Sequence, residues 1–258
     1  VAFCRVARLR LKFPWSGEFP LGEDSISPDR HPDIDSHGDL LDFVSHIREV
    51  TGKSVGFKCV IGACGWLESL MAFIQSRGVE IAPWFMTIDS CDGGTGAAPM
   101  PLMDNVGIPL RESLPLVADI IFEAGLKDRI RLVASGKLIT PAEVAWALCV
   151  GADFVTSARG FMFFLGCIQA MKCNKNTCPT GITTHNKRLR KGLDPIDKAT
   201  KVANYCQNLV HEIEVLHIAA VYLNHDGFTL GLFRKMVVRF HLMKSILSHP
   251  DPGFPFTQ

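Results

Sequence analysis

The stretch Trp84–Pro99, WFMTIDSCDGGTGAAP, decides the fold. Its first part, Trp84–Ile88, reads as a short apolar strand. The turn DSCDGGTGAAP follows, and glycines there end the strand and redirect the chain. Beyond it Ser113–Ala124 carries helical periodicity and is closed by Gly125. This unit of strand, turn and helix repeats on both sides.

Upstream, Leu40, Leu41, Val44 and Ile47 fall on one face of a helix predicted over Asp39–Val50 and ended by Gly52. Val55–Ile61 then reads as a strand buried on both sides. It contains one charge, Lys58, which is costly there unless the ammonium reaches a partner, a cavity or the strand end. Leu67–Arg77 is a second helix, ending at Gly78. Downstream, the strand Ile130–Ala134 leads into the turn SGK, Ser135–Lys137. A helix then starts at Thr140 with a capping box: Thr140 caps, Pro141 takes the first helical position and Glu143 reaches back. The strand Phe154–Ser157 leads into a turn ARG, Ala158–Gly160. Strands alternating with helices imply parallel strands joined by crossovers. Four such strands suit either half of an eight-stranded barrel or a small doubly wound sheet, and periodicity does not choose between them.

In a barrel the C-terminal ends of the strands form the active face. Lys58 sits on the first of the four strands, and Asp92–Gly96, Ser135–Lys137 and Ala158–Gly160 follow the second, third and fourth. Glycines at these turns let backbone N–H groups approach a ligand, and with Lys137 and Arg159 they make a candidate phosphate cradle. None of these short turns is distinctive alone; their order, each after a strand, carries the reading.

The stretch Gly166–Gly181, GCIQAMKCNKNTCPTG, holds Cys167, Cys173 and Cys178, six and five positions apart. Thiolates are soft ligands, and three of them without a fourth suit a three-iron cluster better than a closed Cys₄ zinc site. Three buried core thiols are the alternative.

This stretch, together with DGGTGAAP, SGK and ARGF, resembles the FMN-binding domain of glutamate synthase, closest to members without an amidotransferase domain, over roughly Ser27 to Ala219. The resemblance implies a (β/α)₈ barrel of which the predicted strands are five to eight, with the cysteine loop after the last strand. It implies that Cys167, Cys173 and Cys178 hold a 3Fe–4S cluster beside FMN. Lys58 would stand near the flavin pyrimidine ring and the substrate carboxylate, its charge favouring reduced anionic flavin. Asp92, Gly93, Gly94 and Thr95 would lie along the cofactor. Ser135, Gly136, Lys137, Ala158, Arg159 and Gly160 would hold its phosphate. The larger members often carry His where Cys91 stands, which removes or moves any proton-transfer role of that His. The implied reaction is reductive amination: 2-oxoglutarate and ammonia give 2-iminoglutarate, which takes a hydride from reduced FMN and becomes glutamate. Electrons would arrive from ferredoxin or an NAD(P)H-oxidising subunit, and ammonia from solution or a separate amidotransferase subunit. Other readings are a truncated, catalytically silent metal-binding piece and a related flavoenzyme acting on another substrate.

Composition is consistent with an α/β protein. The 258 residues are 47% hydrophobic and 21% charged, enough for a sizeable core. A net charge of +1 argues against nucleic-acid or membrane-surface binding. No apolar run reaches the roughly 18 residues of a membrane span. The nine cysteines form no regular even framework and no secretory signal opens the sequence, so reduced thiols and a cytoplasmic location are expected. The sequence begins with Val1 rather than Met, which suggests part of a longer protein whose first half-barrel is missing. Residues 1–26 read as an arm and 221–258 as a tail, neither with an assigned function. In the loop Ser27–Ile34, Arg30 and His31 either face the ligand or are solvated. Lys187, Arg188, Arg190 and Lys191 form a solvated basic turn, and Lys198 to about Ala220 is a long amphipathic helix.

Overall fold

The computed structural model describes Phe3–Cys4, Ser25–Ile26, His31, 33–92 and 104–223, with backbone only for the first two pairs and for 220–223. The short strands β1 (Phe3–Cys4) and β2 (Ser25–Ile26) pair antiparallel. Then follow α1 (His37–Thr51), β3 (Phe57–Val60), α2 (Gly65–Arg77), β4 (Phe85–Asp89), α3 (Leu110–Glu123), β5 (Arg131–Ser135), α4 (Pro141–Val150), β6 (Phe154–Thr156), α5 (Ala158–Phe164) and α6 (Pro195–Leu223).

β3 to β6 form one sheet in the order β3-β4-β5-β6, every pair parallel, with Lys58 beside Thr87 and Ser135 beside Thr156. Burial alternates along β4 and β5, and only one face is fully covered. On that face Met86, Ile88, Leu132 and Ala134 pack with Leu41 of α1, Leu70 of α2, Leu114 of α3 and Val144 of α4. Sequential parallel strands with helices against one face of the described sheet are compatible with a partial barrel.

Local chemistry explains where the elements begin. α1 starts two residues earlier than periodicity places it. The Ser36 hydroxyl accepts the Asp39 N–H at 3.2 Å, while Asp39 Oδ2 accepts the Ser36 N–H at 2.8 Å. α3 starts three residues earlier, with the Leu110 N–H donating to Asp92 Oδ2 at 3.1 Å. α6 begins at Pro195, just after Asp194, whose side chain accepts the Ile196 N–H at 3.0 Å. The expected box at α4 is present, with Glu143 Oε2 accepting the N–H groups of Ile139 and Thr140, both at 2.9 Å. Partial burial pushes the Glu143 carboxyl up, but these bonds outweigh it and hold the pKa below the ordinary value. The contribution of Glu143 is therefore complete above the usual carboxylate range and is lost as pH falls through the lowered pKa. Thr140→Ala should cost about 1 kcal/mol, read as a shift in the denaturant midpoint without a change in slope.

Two expectations are corrected. Val55–Ile61 is not a strand buried on both sides. β3 is shorter, Lys58 and Val60 are exposed, and only Phe57 and Cys59 meet the core. It is the edge of the described sheet, and helices cover one of its faces. The ARG segment is not a turn but the first turn of α5. The Phe161 N–H reaches the Ser157 carbonyl at 3.2 Å, and no proline interrupts the run.

At the opposite edge of the sheet Asp153 links β5 and β6. Its Oδ2 accepts the Leu132 N–H at 2.8 Å and pairs with Lys127. No helix among the described residues is long and apolar enough to cross a membrane.

Candidate functional site

Because the four strands are parallel, Asp89, Ser135–Lys137 and Ser157–Gly160 come to the C-terminal end of the sheet, while Lys58 lies within β3, level with Thr87, and reaches that end through its ammonium. Lys58 projects from the open face of β3 with its side chain 59% exposed, and its Nζ lies 2.6 Å from Asp89 Oδ2. Asp89 is better shielded, and its other oxygen accepts the Ser90 N–H at 3.0 Å. The lysine thus has a carboxylate partner and remains open to a ligand. Behind it Cys59 is pushed up to about 12 by burial and by Asp89, so it is a neutral thiol. Cys91 is also buried, and burial, with Asp92 and Asp104, pushes it up.

Asp92 is engaged within the protein. Its Oδ2 accepts from the Ser90 hydroxyl at 3.1 Å as well as from the Leu110 N–H. Gly93, Gly94 and Thr95 lie outside the described residues, as does Arg30. His31 is exposed, its ring centroid 4.9 Å from that of Phe43.

The turn after β5 brings Ser135, Gly136 and Lys137 to the edge half-buried. Lys137 has φ +44° and its Nζ lies 2.6 Å from Asp104 Oδ1. Gly136 abuts Ser90: a Cβ on it would fall 2.5 Å from Ser90 Oγ. After β6, Ala158 is exposed, Arg159 half-buried and Gly160 buried. Gly160 is covered by Tyr205 of α6, and a Cβ there would lie 2.0 Å from the Tyr205 hydroxyl oxygen.

The cysteine loop leaves α5 at Gly166 and turns through positive φ at Gln169, Met171, Asn176 and Gly181. Cys167, Cys173 and Cys178 are free and half-buried. Burial pushes the Cys178 thiol up, but hydrogen bonds from Thr180 and Thr183 outweigh this and bring it to about 6. Asn176 fastens the far end of the loop: its Oδ1 accepts the His185 N–H at 2.6 Å, and its carbonyl accepts the Thr184 hydroxyl at 2.7 Å. The three thiols share one loop, but no three His, Cys, Asp or Glu side chains among the described residues are gathered closely enough to hold a metal ion.

Sequence reading passed over Asp89, Asp104, Ser157 and Tyr205. Asp89 lay inside the quoted turn, two residues beyond the strand position beside Lys58, so strand register was its available signal. Tyr205 lies 48 positions from Ser157, and nothing local marks their contact.

The family model for the conserved region in glutamate synthase matches residues 6–222. The chain belongs to the glutamate synthase family. The match begins earlier than the motif resemblance did and ends close to it. Among relatives, the glutamate synthase large subunit-like protein YerD of Bacillus subtilis is 42% identical over 188 residues, 73% of this chain and 35% of its own. The archaeal glutamate synthase (NADPH) of Methanocaldococcus jannaschii is 35% identical over 201 residues, 78% of this chain and 39% of its own. The glutamate synthase (NADPH) large chain of Bacillus subtilis is 28% identical, covering 78% of this chain and 13% of its own. This family member therefore spans 35% to 39% of the length of the first two relatives.

Proposed function

We propose that the chain is the C-terminal half-barrel, strands five to eight, of a glutamate synthase-type oxidoreductase that binds FMN and a 3Fe–4S cluster and makes glutamate from 2-oxoglutarate and ammonia. The observation that carries this is the Ser135–Lys137 turn and Arg159 following adjacent parallel strands, with Lys58 paired to Asp89 at the end of β4 and a three-cysteine loop directly after α5, in a chain of this family. FMN supplies the hydride that reduces the imine of 2-oxoglutarate, and the cluster relays the electrons that recharge the flavin.

The donor sets fit these groups chemically. Lys137, Arg159 and the amides of the Ser135–Lys137 turn are cationic or N–H donors suited to a phosphate. A phosphate there competes with Asp104 for the Lys137 ammonium. Cys167, Cys173 and Cys178 are soft sulfur donors, and Thr180 and Thr183 already favour the thiolate at Cys178. Lys58 orients the substrate carboxylate and keeps a positive charge at the flavin, with Asp89 holding its ammonium in place. Two of the three relatives described above carry NADPH in their names. By analogy, electrons here come from a pyridine-nucleotide-oxidising partner, with ferredoxin the other donor of suitable chemistry.

Arg159→Ala tests the phosphate assignment. FMN binding should weaken by about 1–3 kcal/mol, the scale of a hydrogen bond to a charged group. Riboflavin, which lacks the phosphate, should be affected far less. Equal losses for the two ligands, followed by flavin fluorescence titration, would remove Arg159 from the site.

A further inference from the structure

We infer that Tyr205 of α6 is a positioning residue that fixes the two phosphate turns relative to one another; this rests on the phosphate assignment above. Tyr205 is 8% exposed, and its hydroxyl donates to the Ile139 carbonyl at 2.8 Å, just beyond the Ser135–Lys137 turn. The same oxygen lies 2.9 Å from Ser157 Oγ, at the start of the Ala158–Gly160 segment. Ser157 Oγ also lies 2.6 Å from the Leu138 carbonyl; the two hydroxyls carry one proton each, so two of these three contacts are hydrogen bonds at any moment. Two hydroxyl groups therefore tie the segment after β5 to the segment after β6, and one of them comes from a distant helix.

Three further observations tie Tyr205 to this place. Phe164 stacks on its ring at a centroid distance of 4.4 Å, and Phe161 meets it edge-on at 5.1 Å, so α5 fixes the ring. Gly160 leaves the space that the hydroxyl occupies, since any Cβ would collide with it. Ring packing alone could seat α6; the hydroxyl adds the link between the two turns. A phosphate held from both turns depends on their separation, because hydrogen bonds weaken steeply with distance and angle.

Tyr205→Phe keeps the rings and removes only the link. In the flavin-binding protein it should weaken FMN binding by about tenfold, as expected for one or two lost hydrogen bonds, and leave riboflavin affinity unchanged. Ser157→Ala removes the other hydroxyl of the junction and should lower the same FMN-to-riboflavin ratio, which keeps the test decisive if Tyr205→Phe does not fold. A purely structural tyrosine would lower thermal stability and leave the ratio alone, and an unchanged ratio in the folded variants overturns the inference. Arg159→Ala, measured alongside, separates the two failures. If it collapses the ratio while Tyr205→Phe does not, the positioning role falls and the phosphate site stands. If neither moves it, or the unsubstituted protein does not prefer FMN to riboflavin, the phosphate site falls and the inference with it.

Discussion

Lys58→Met should give a folded, flavin-loaded protein whose turnover has fallen by about a hundredfold or more, the scale of one lost electrostatic contact at the reacting centre. The structure makes this substitution cleaner than the sequence allowed. The Lys58 side chain lies on the face of β3 opposite Phe57 and Cys59, which meet the described core, so methionine there leaves that core and the pairing with β4 intact. The phosphate turns lie two strands and more away, after β5 and β6, so FMN should still bind. With FMN bound as proposed, the substitution would remove a positive charge beside the flavin, and the reduction potential should fall with it.

Asp89 supplies the control. With Lys58 gone, its carboxylate keeps the Ser90 N–H but loses its cation. Asp89→Asn keeps the lysine and removes the opposing charge, so the potential should move upward. Opposite shifts, read by potentiometric titration of the full-length protein, would tie the effect to charge at the flavin rather than to a disturbed β3. Unchanged potential and turnover in Lys58→Met would make Lys58 a surface ion-pair residue, with the small energetic weight such pairs have.

The parts of the fold that rest on neighbouring residues were legible in the sequence. Thr140, Pro141 and Glu143 specify a helix start within four positions, and the box forms as read. Ser36 and Asp39 carry the same physics, but periodicity alone starts the helix at Asp39, because the cap residue Ser36 lies outside the apolar repeat. Parallel pairing followed from the alternation of elements. Burial of β3 did not, because an apolar run looks the same at an edge as in the middle of a sheet. The candidate turns are legible in the sequence as strand ends, and the contacts they make are not. Gly160 reads in the sequence as a glycine that lets a phosphate approach its backbone, and on the side where a Cβ would stand it also admits Tyr205, which nothing local signals. Asp92 stands in a turn with the look of a ligand loop, but its carboxylate reaches Leu110 eighteen positions on and starts a helix. Such pairings are set by how α3 and α6 pack, which local periodicity does not encode.

Cys173→Ser should abolish iron binding and the brown absorbance, because a hydroxyl is a poor ligand for iron and a three-iron cluster on three thiolates has no spare protein ligand. Two other cysteines provide the comparison. Cys206 is exposed on α6, so its replacement by serine costs little and should leave the iron content intact. Cys149 is buried on α4, 5% exposed, so serine there brings a hydroxyl into the core and lowers stability, yet iron per folded protein should not change. The three loop thiols do not meet at a single point in this structure, and in the proposed cluster each would bind a different iron. Gly166 and Gly181 at its ends, with Gln169, Met171 and Asn176 between, already adopt left-handed conformations that turn the chain repeatedly within this short span. Metal analysis and the visible spectrum of the reconstituted protein decide the matter. Loss of iron in Cys173→Ser alone supports the loop as the ligand set. Equal loss in Cys173→Ser, Cys149→Ser and Cys206→Ser would mean that iron is held nonspecifically by thiols across the surface and core, and the cluster assignment would fall while the flavin site stood on its own tests.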